Sequence, residues 1–419
     1  MNDVPLVAHA SRLGPAFDLL ATYRPGGFFF ERGGLGISGS GIAGSVGADP
    51  GPERIISLSR SVAEALAAIR RAPEAPPPVA VVSIPFGDDR PAEATIPART
   101  SVRHDRGETW QIDVVAEGIG KPHASSDRWT GRGARHDAFE EIQLRPDPEP
   151  DEYGEAVARA TERIRSGELR KVVLARSLIV DAGRELDPRH LLWRLRAVDP
   201  DCYAFATPVS GPGRGGTLVG ATPELLARRR GRTVEATPLA GSAPRYGDPG
   251  RDRASADRLF GSDKDRDEHA VVVEDVAHVL AAFCDDLIYP HEPELLGTAN
   301  VWHLATPFRG RLHLGSTSLL DLVAALHPTP AVCGSPREVA REALEELEPI
   351  DRGAYAGPVG WVDADGDGEM AIALRCAEIT GTTARLFAGA GIVADSEPEA
   401  EVDETERKFR ALLDSLRWG

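Results

Sequence analysis

One stretch limits the fold more than any other. Leu169-Arg170-Lys171-Val172-Val173-Leu174-Ala175-Arg176 alternates so that Leu169, Lys171, Val173 and Ala175 share one face and Val172 and Leu174 share the other. A strand that is apolar on both sides belongs in a sheet covered on both sides, so the chain has to build a substantial core around it. Its 419 residues, 42% of them hydrophobic, are enough to do so.

The flanking pattern agrees. From Tyr153 to Ser166, Val157, Ala160, Thr161 and Ile164 keep helical spacing, and Gly167 stands where a C-terminal cap belongs. Downstream the spacing predicts a strand at Thr217–Gly220, a hairpin over Glu224–Pro238, helices near Ser262–Cys284 and Glu338–Glu346, and strands at Met370–Ile379 and Ala384–Phe387. With Arg230-Gly231 as the tight turn of the hairpin, Glu224 would face Thr237. The first 150 residues are rich in Gly and Pro, with β-like runs such as Gly27-Phe28-Phe29-Phe30 and Val79-Ala80-Val81-Val82-Ser83. The Pro/acidic stretch Arg145 to Glu152 marks a subdomain boundary between a β-rich part, 1–150, and a region of clearer helices and strands, 151–419, expected to be one integrated α/β unit. No short-period repeat occurs, and the expected class is α+β.

Charge narrows the partners. Lys+Arg 48 against Asp+Glu 65 gives a net charge of −17, a field that repels phosphate backbones and anionic membranes, so neither nucleic acid nor membrane is an expected partner. A small anion would need a pocket with its own cations, amides or metal. The four cysteines, Cys202, Cys284, Cys333 and Cys376, lack CxxC or Cys/His spacing, which fits a reducing cytoplasm. The first residues lack the form of a signal peptide, and no apolar run reaches spanning length. Two motifs are decoys. Gly34-Leu35-Gly36-Ile37-Ser38-Gly39 matches a dinucleotide-binding pattern but opens no helix, and reads as a Gly-rich β-turn. Asp363-Ala364-Asp365-Gly366-Asp367 begins like a calcium loop, but its twelfth position is Leu374, so it reads as a polar turn between strands.

Several residues are unfavourable where they stand. Burial strips Lys171 of water and favours a neutral amine able to take a proton; the alternative is a strand-end lysine that snorkels to solvent. Glu224, after Thr222-Pro223 and beside Leu225 and Leu226, could keep its proton and act as a general acid, or be an exposed strand-end residue. The small-residue loop Leu239-Ala240-Gly241-Ser242-Ala243-Pro244 offers amides to a carboxylate nearby. Glu268 extends the apolar stripe Val272, Val276, Val279 and Phe283 backwards along its helix and should therefore meet a cation, a metal or donors. On the last helix Glu401, Glu404 and Lys408 share a side next to Phe409, Leu412, Leu413 and Leu416, as a salt-bridged face or as magnesium ligands. Arg375 shares a strand face with Ala371, Ala373 and Ala377, with room to grip a carboxylate or to pair with a glutamate. Gly389-Ala390-Gly391, just after a strand, allows close backbone approach.

These blocks, joined by Trp302-His303-Leu304-Ala305-Thr306-Pro307, Leu326-His327-Pro328-Thr329-Pro330-Ala331 and Lys264-Asp265-Arg266-Asp267-Glu268-His269, resemble the chorismate-utilising enzyme family, and within it the isochorismate-forming branch, over about residues 150–417. The resemblance implies large mixed or antiparallel sheets packed together with helices outside. It also implies a magnesium-dependent conversion of chorismate to isochorismate, with water added at C2 and the C4 hydroxyl lost. In that likeness Lys171 matches the base, Glu224 the acid, and Glu268 and Glu404 the Mg2+ ligands, supported by Glu401 and Asp265. Gly241 and Ser242 match amides at the ring carboxylate, Tyr355, Arg375, Gly389 and Lys408 the surroundings of the enolpyruvyl carboxylate, and His303, Ala331 and Val332 the ring site. Val402 stands where many relatives carry Trp. The likeness further implies a monomer that needs no glutamine amidotransferase. Salicylate synthases, aminodeoxyisochorismate and anthranilate synthases, and a non-catalytic chorismate- or metal-binding regulator are the competing readings, separated by products.

Overall fold

The structure is a computed structural model and describes residues 5–14, 17–103, 108–119, 129, 142–211, 214–315 and 317–417. Among the described residues, thirteen strands form one sheet, nine a second and three a small third, joined almost throughout as antiparallel pairs, with eight α-helices. The α+β expectation holds. Apolar side chains of the two large sheets meet in one cluster, with Phe205, Leu218 and Phe387 from the larger and Val234, Val359 and Met370 from the smaller. Helices Pro188–Val198 and Pro398–Arg417 pack on the larger sheet, while Arg54–Ala67 and Leu319–Leu326 pack on the smaller. Strands from before residue 150 extend both layers. Phe28–Arg32 pairs with Tyr203–Gly211 in one, and Val79–Ser83 with Pro358–Asp363 in the other. No helix among the described residues is long and apolar enough to cross a membrane.

The strand read first from the sequence spans Lys171–Asp181 and is buried from Lys171 through Leu178. Val172 and Leu174 pack with Tyr153 and Val157 of helix Pro150–Arg165 and with helix Arg337–Leu347. The opposite face carries Lys171, Val173 and Ala175 toward the gap between the sheets. Thr383–Ile392 pairs along its whole length, from Val172 opposite Ile392 to Asp181 opposite Thr383.

Several local expectations change. The stretch Met370–Ile379 is two strands, Gly368–Ile372 in the smaller sheet and Cys376–Thr380 in the larger, because Arg375 at φ 47° takes a left-handed backbone that ends one and starts the other. Arg375 therefore shares no strand face with Ala371, Ala373 and Ala377. The hairpin turn falls at Gly231-Arg232, between paired Arg230 and Thr233, because Gly231 alone accepts φ 58° without strain. A register shift further down puts Leu225, and not Glu224, opposite Thr237. The small-residue loop is a strand, Leu239–Pro244, paired with Val301–Ala305 and bulged at Gly241, where φ is 75°. Gly389 and Gly391 lie inside strand Thr383–Ile392 and not after it. The Gly34 motif proves to be mostly strand, Leu35–Ser40, behind the turn Gly33-Gly34. Asp363 accepts the amides of Asp365 and Asp367, as a polar turn between strands should.

Candidate active site

Two chain crossings create the site. After Arg214–Thr222 in the larger sheet the chain passes through Pro223 and Glu224 into Leu225–Arg230 of the smaller one, and after Gly368–Ile372 it returns through Ala373, Leu374 and Arg375 to Cys376–Thr380. The crossings bond to each other, the Ala221 amide donating to the Arg375 carbonyl at 3.3 Å and the Ile372 amide to the Glu224 carbonyl at 3.2 Å. Where strands part, side chains reach into the space between layers, and Glu224 and Arg375 both line the cavity there. Its volume is about 130 Å³, and it is partly open to solvent.

Fourteen of the fifteen site residues expected from the sequence line this cavity; the exception is Lys171. Lys171 is 1% exposed and sits behind Glu268, its Nζ 2.9 Å from Glu268 Oε1. Their closeness depends on Gly391, since a Cβ there would stand 2.2 Å from Glu268 Oε1 and 3.1 Å from Lys171 Cε. Lys171 thus does not snorkel to solvent, and its amine is paired with an acid that the sequence reading did not assign to it. Its charge still reaches Glu224. Burial pushes that carboxyl up to about 8, with Lys171 and a bond from the Leu239 amide pulling the other way, so it holds its proton at neutral pH.

The remaining carboxylates are each matched to a cation or a donor. Glu404 accepts from Lys408 Nζ at 2.7 Å and Ser242 Oγ at 3.1 Å. Burial opposes its ionisation, but those partners outweigh it and hold the carboxyl below its usual range. Glu401 accepts from Lys264 Nζ at 3.1 Å, and burial and then Glu404 push its carboxyl upward. Burial also raises Asp265, with the Ser262 hydroxyl working against it. Gly241 leaves space for Asp265, because a Cβ there would lie 3.2 Å from the aspartate Cβ. Lys408 also donates to the Gly389 carbonyl at 2.6 Å.

Other lining residues are cationic or aromatic. Arg375 donates to His303 Nε2, and because a guanidinium cannot accept, that nitrogen is the acceptor and the ring proton lies on Nδ1. Burial, with the charges of Arg375 and Lys408, holds His303 well below its ordinary value, so it is neutral. Among the described residues Arg375 has no ion-pair partner, and burial lowers its own value. A half-buried guanidinium whose one side-chain bond among the described residues is to a neutral ring is a ready receptor for a carboxylate. Tyr355 stacks on Phe387 at 5.0 Å and 9°, and Ala331 and Val332 complete that side.

The sequence reading passed over Lys264, Arg352, Val173, Leu374 and Phe387, all in the lining. Lys264 carried one signal, since a lysine in the first turn of a helix opposes the helix dipole and needs a local reason. Val402 packs at the edge of the Tyr153 cluster, beneath the acidic side of the last helix. The donor chemistry suits a hard cation. Among the described residues no three acidic, His or Cys side chains gather closely enough to hold an ion alone. Magnesium instead needs only one or two carboxylates beside waters and ligand oxygens, and Glu268 and Glu404 both line the cavity.

Comparison with known proteins agrees with this geometry. Residues 107–417 match the family described as "Chorismate binding enzyme". The isochorismate synthase DhbC of Bacillus subtilis is 38% identical over 403 residues, 95% of this chain and 95% of that protein. The isochorismate synthase EntC of Escherichia coli K12 is 38% identical over 336 residues, 80% of each. The crystal structure of DhbC from Bacillus anthracis has a TM-score of 0.82 at 35% identity, covering 96% of this chain and 99% of that one. A family match over most of the chain, whole-length relatives and a shared architecture lead to one conclusion: the chain belongs to the chorismate-binding enzyme family.

Proposed function

We propose that the chain is an isochorismate synthase, a hydroxymutase that interconverts chorismate and isochorismate. The observation that carries the reading is the buried, proton-holding Glu224 in a cavity that also presents an unpaired Arg375 and lies within reach of the Lys171 charge. In the forward direction a water oxygen bonds to C2 of the ring and gives its proton to the Lys171 amine. The ring double bonds shift, and the C4 hydroxyl departs as water with the proton of Glu224. One water enters and one leaves. Because Lys171 is paired with Glu268 as an ammonium, it must first shed a proton to solvent before its amine can take the water's, and shedding it ends the ion pair and frees the Glu268 carboxylate for another cation.

Arg375 and Lys408, beside Gly389 and Tyr355, suit the enolpyruvyl carboxylate, and the amides of Gly241 and Ser242 suit the ring carboxylate. His303, Ala331 and Val332 would flank the ring. Glu268 and Glu404, with Asp265 and Glu401 nearby, would hold Mg2+, which when bound would polarise the ring carboxylate. With water as nucleophile, no ammonia-supplying partner is called for. The test is incubation of purified protein with chorismate and MgCl2 followed by product analysis. Isochorismate without pyruvate or salicylate supports the reading, pyruvate release identifies a salicylate-forming lyase instead, and absence of turnover points to a binding relative.

A further inference from the structure

The strand that carries Lys171 has an incomplete edge. On the side away from Thr383–Ile392 it pairs with Gly334–Ser335 at Lys171 and Val172, and with Gln143–Asp147 from Ser177 onward. Between them, the Val173 amide donates to the Cys333 carbonyl at 2.8 Å. Two side chains fill what is left. Arg352 Nη2 donates to the Val173 carbonyl at 2.7 Å, and Glu348 Oε2 accepts from the Ala175 amide at 2.9 Å. They form a buried fork, with Arg352 Nε 2.6 Å from Glu348 Oε1 and Nη2 2.7 Å from Oε2. The pair takes the hydrogen-bonding place of an absent strand segment.

Arg352 does more than close that edge. Its Nη1 donates to the Val332 carbonyl at 2.7 Å, its guanidinium lies over Phe86 at 4.3 Å, and it lines the cavity together with Val173 and Val332. It is also the one residue shared between this cavity and a second, solvent-open cavity bounded by Asp88, Arg90, Arg341 and Asp351.

We infer that Arg352 is a positioning residue for the reaction: one guanidinium, fixed by Glu348, sets the distance between the lysine-bearing strand and the Ala331–Val332 wall and seals the cavity from its neighbour. The geometry supports this because a single planar group bonds both walls and both oxygens of its counterion, which no other side chain can do. The inference rests on the proposed reaction only for its readout, with wild-type turnover as the control.

The test is Arg352→Ala, which leaves a guanidinium-sized gap facing the solvent-open cavity. Expected is a folded protein whose kcat/KM for chorismate falls about 10²-fold. Millimolar guanidinium hydrochloride should restore it saturably, and equal NaCl should not. Unchanged kcat and KM, or a loss in folded protein that guanidinium does not restore, overturns the inference. If Arg352→Ala does not fold, Arg352→Lys decides. An ammonium cannot reach all four acceptors, so a folded lysine variant should show KM raised about tenfold, and wild-type kinetics in that variant reject the role. Inactive wild-type protein would instead strike the isochorismate synthase reading.

Discussion

The Lys171 amine and the Glu268 carboxylate are in contact at 2.9 Å, from a strand and a helix far apart in sequence, with Gly391 leaving the space that lets them meet. One proposed proton acceptor and one proposed metal ligand are therefore bound to each other, and a change in either alters both.

Replacing the lysine tests this directly. Lys171→Met should lower turnover by at least about 10²-fold. It should also destabilise the protein by about 3–5 kcal/mol through an unpaired buried carboxylate. Added MgCl2 should recover part of the lost Tm but none of the turnover. Product formation at the wild-type rate would remove Lys171 from the base role.

Gly391→Ala separates stability from activity. The new methyl meets the far end of the Glu268 side chain, which can swing away, so Tm should fall by no more than a few degrees. Displaced, Glu268 leaves both Lys171 and its place on the wall, so turnover should drop about 10²-fold. Normal turnover in a folded Gly391→Ala protein would show that the contact does not matter.

The proposed acid has a pH signature. Burial pushes the Glu224 carboxyl up to about 8 in the folded chain, against an ordinary 4.5. Its raised value means that the folded state keeps a proton the unfolded state gives up, so this contribution to stability is full below about 4.5 and is lost as pH rises to about 8. Glu224→Gln should remove that slope, and the Tm advantage of the variant should grow across this window. In kinetics, wild-type kcat/KM should decline above pH 8, while the variant should be slower by about 10²–10⁴-fold and lack that alkaline limb. An alkaline limb that survives in Glu224→Gln would assign it to another group.

The metal ligand proposed on the last helix has its own test. Glu404→Ala should weaken Mg2+ binding about tenfold or more by titration calorimetry, at fixed chorismate. A superimposable magnesium titration would exclude Glu404 as a ligand.

Arg375→Lys keeps a charge but loses the fork and the bond to His303. KM for chorismate should rise about tenfold or more, with a smaller change in kcat. An unchanged KM would mean that the enolpyruvyl carboxylate is held elsewhere.

Much of this was legible in the chain. Lys171, Glu224 and Glu268 stood out because each is costly where periodicity buries it, and the structure gives each a partner or a raised pKa. Arg375 was correctly placed in the cavity for a mistaken reason. Alternation treats 370–379 as one strand, and nothing in Leu374-Arg375-Cys376 announces a left-handed backbone at a non-glycine residue. The bulge at Gly241 escaped because an extended strand and a small-residue loop share one composition. The Glu348–Arg352 fork was invisible, as its importance lies in backbone groups of a strand well over a hundred residues earlier.

The paired crossings have a mechanical meaning. Each of the two segments hands the chain from one layer to the other, and they grip each other by main-chain bonds, so Glu224 and Arg375 ride on the same rivet. If the layers slide or breathe, the proposed proton donor and the proposed anion anchor travel together, and the span between them holds while the two sheets flex around it.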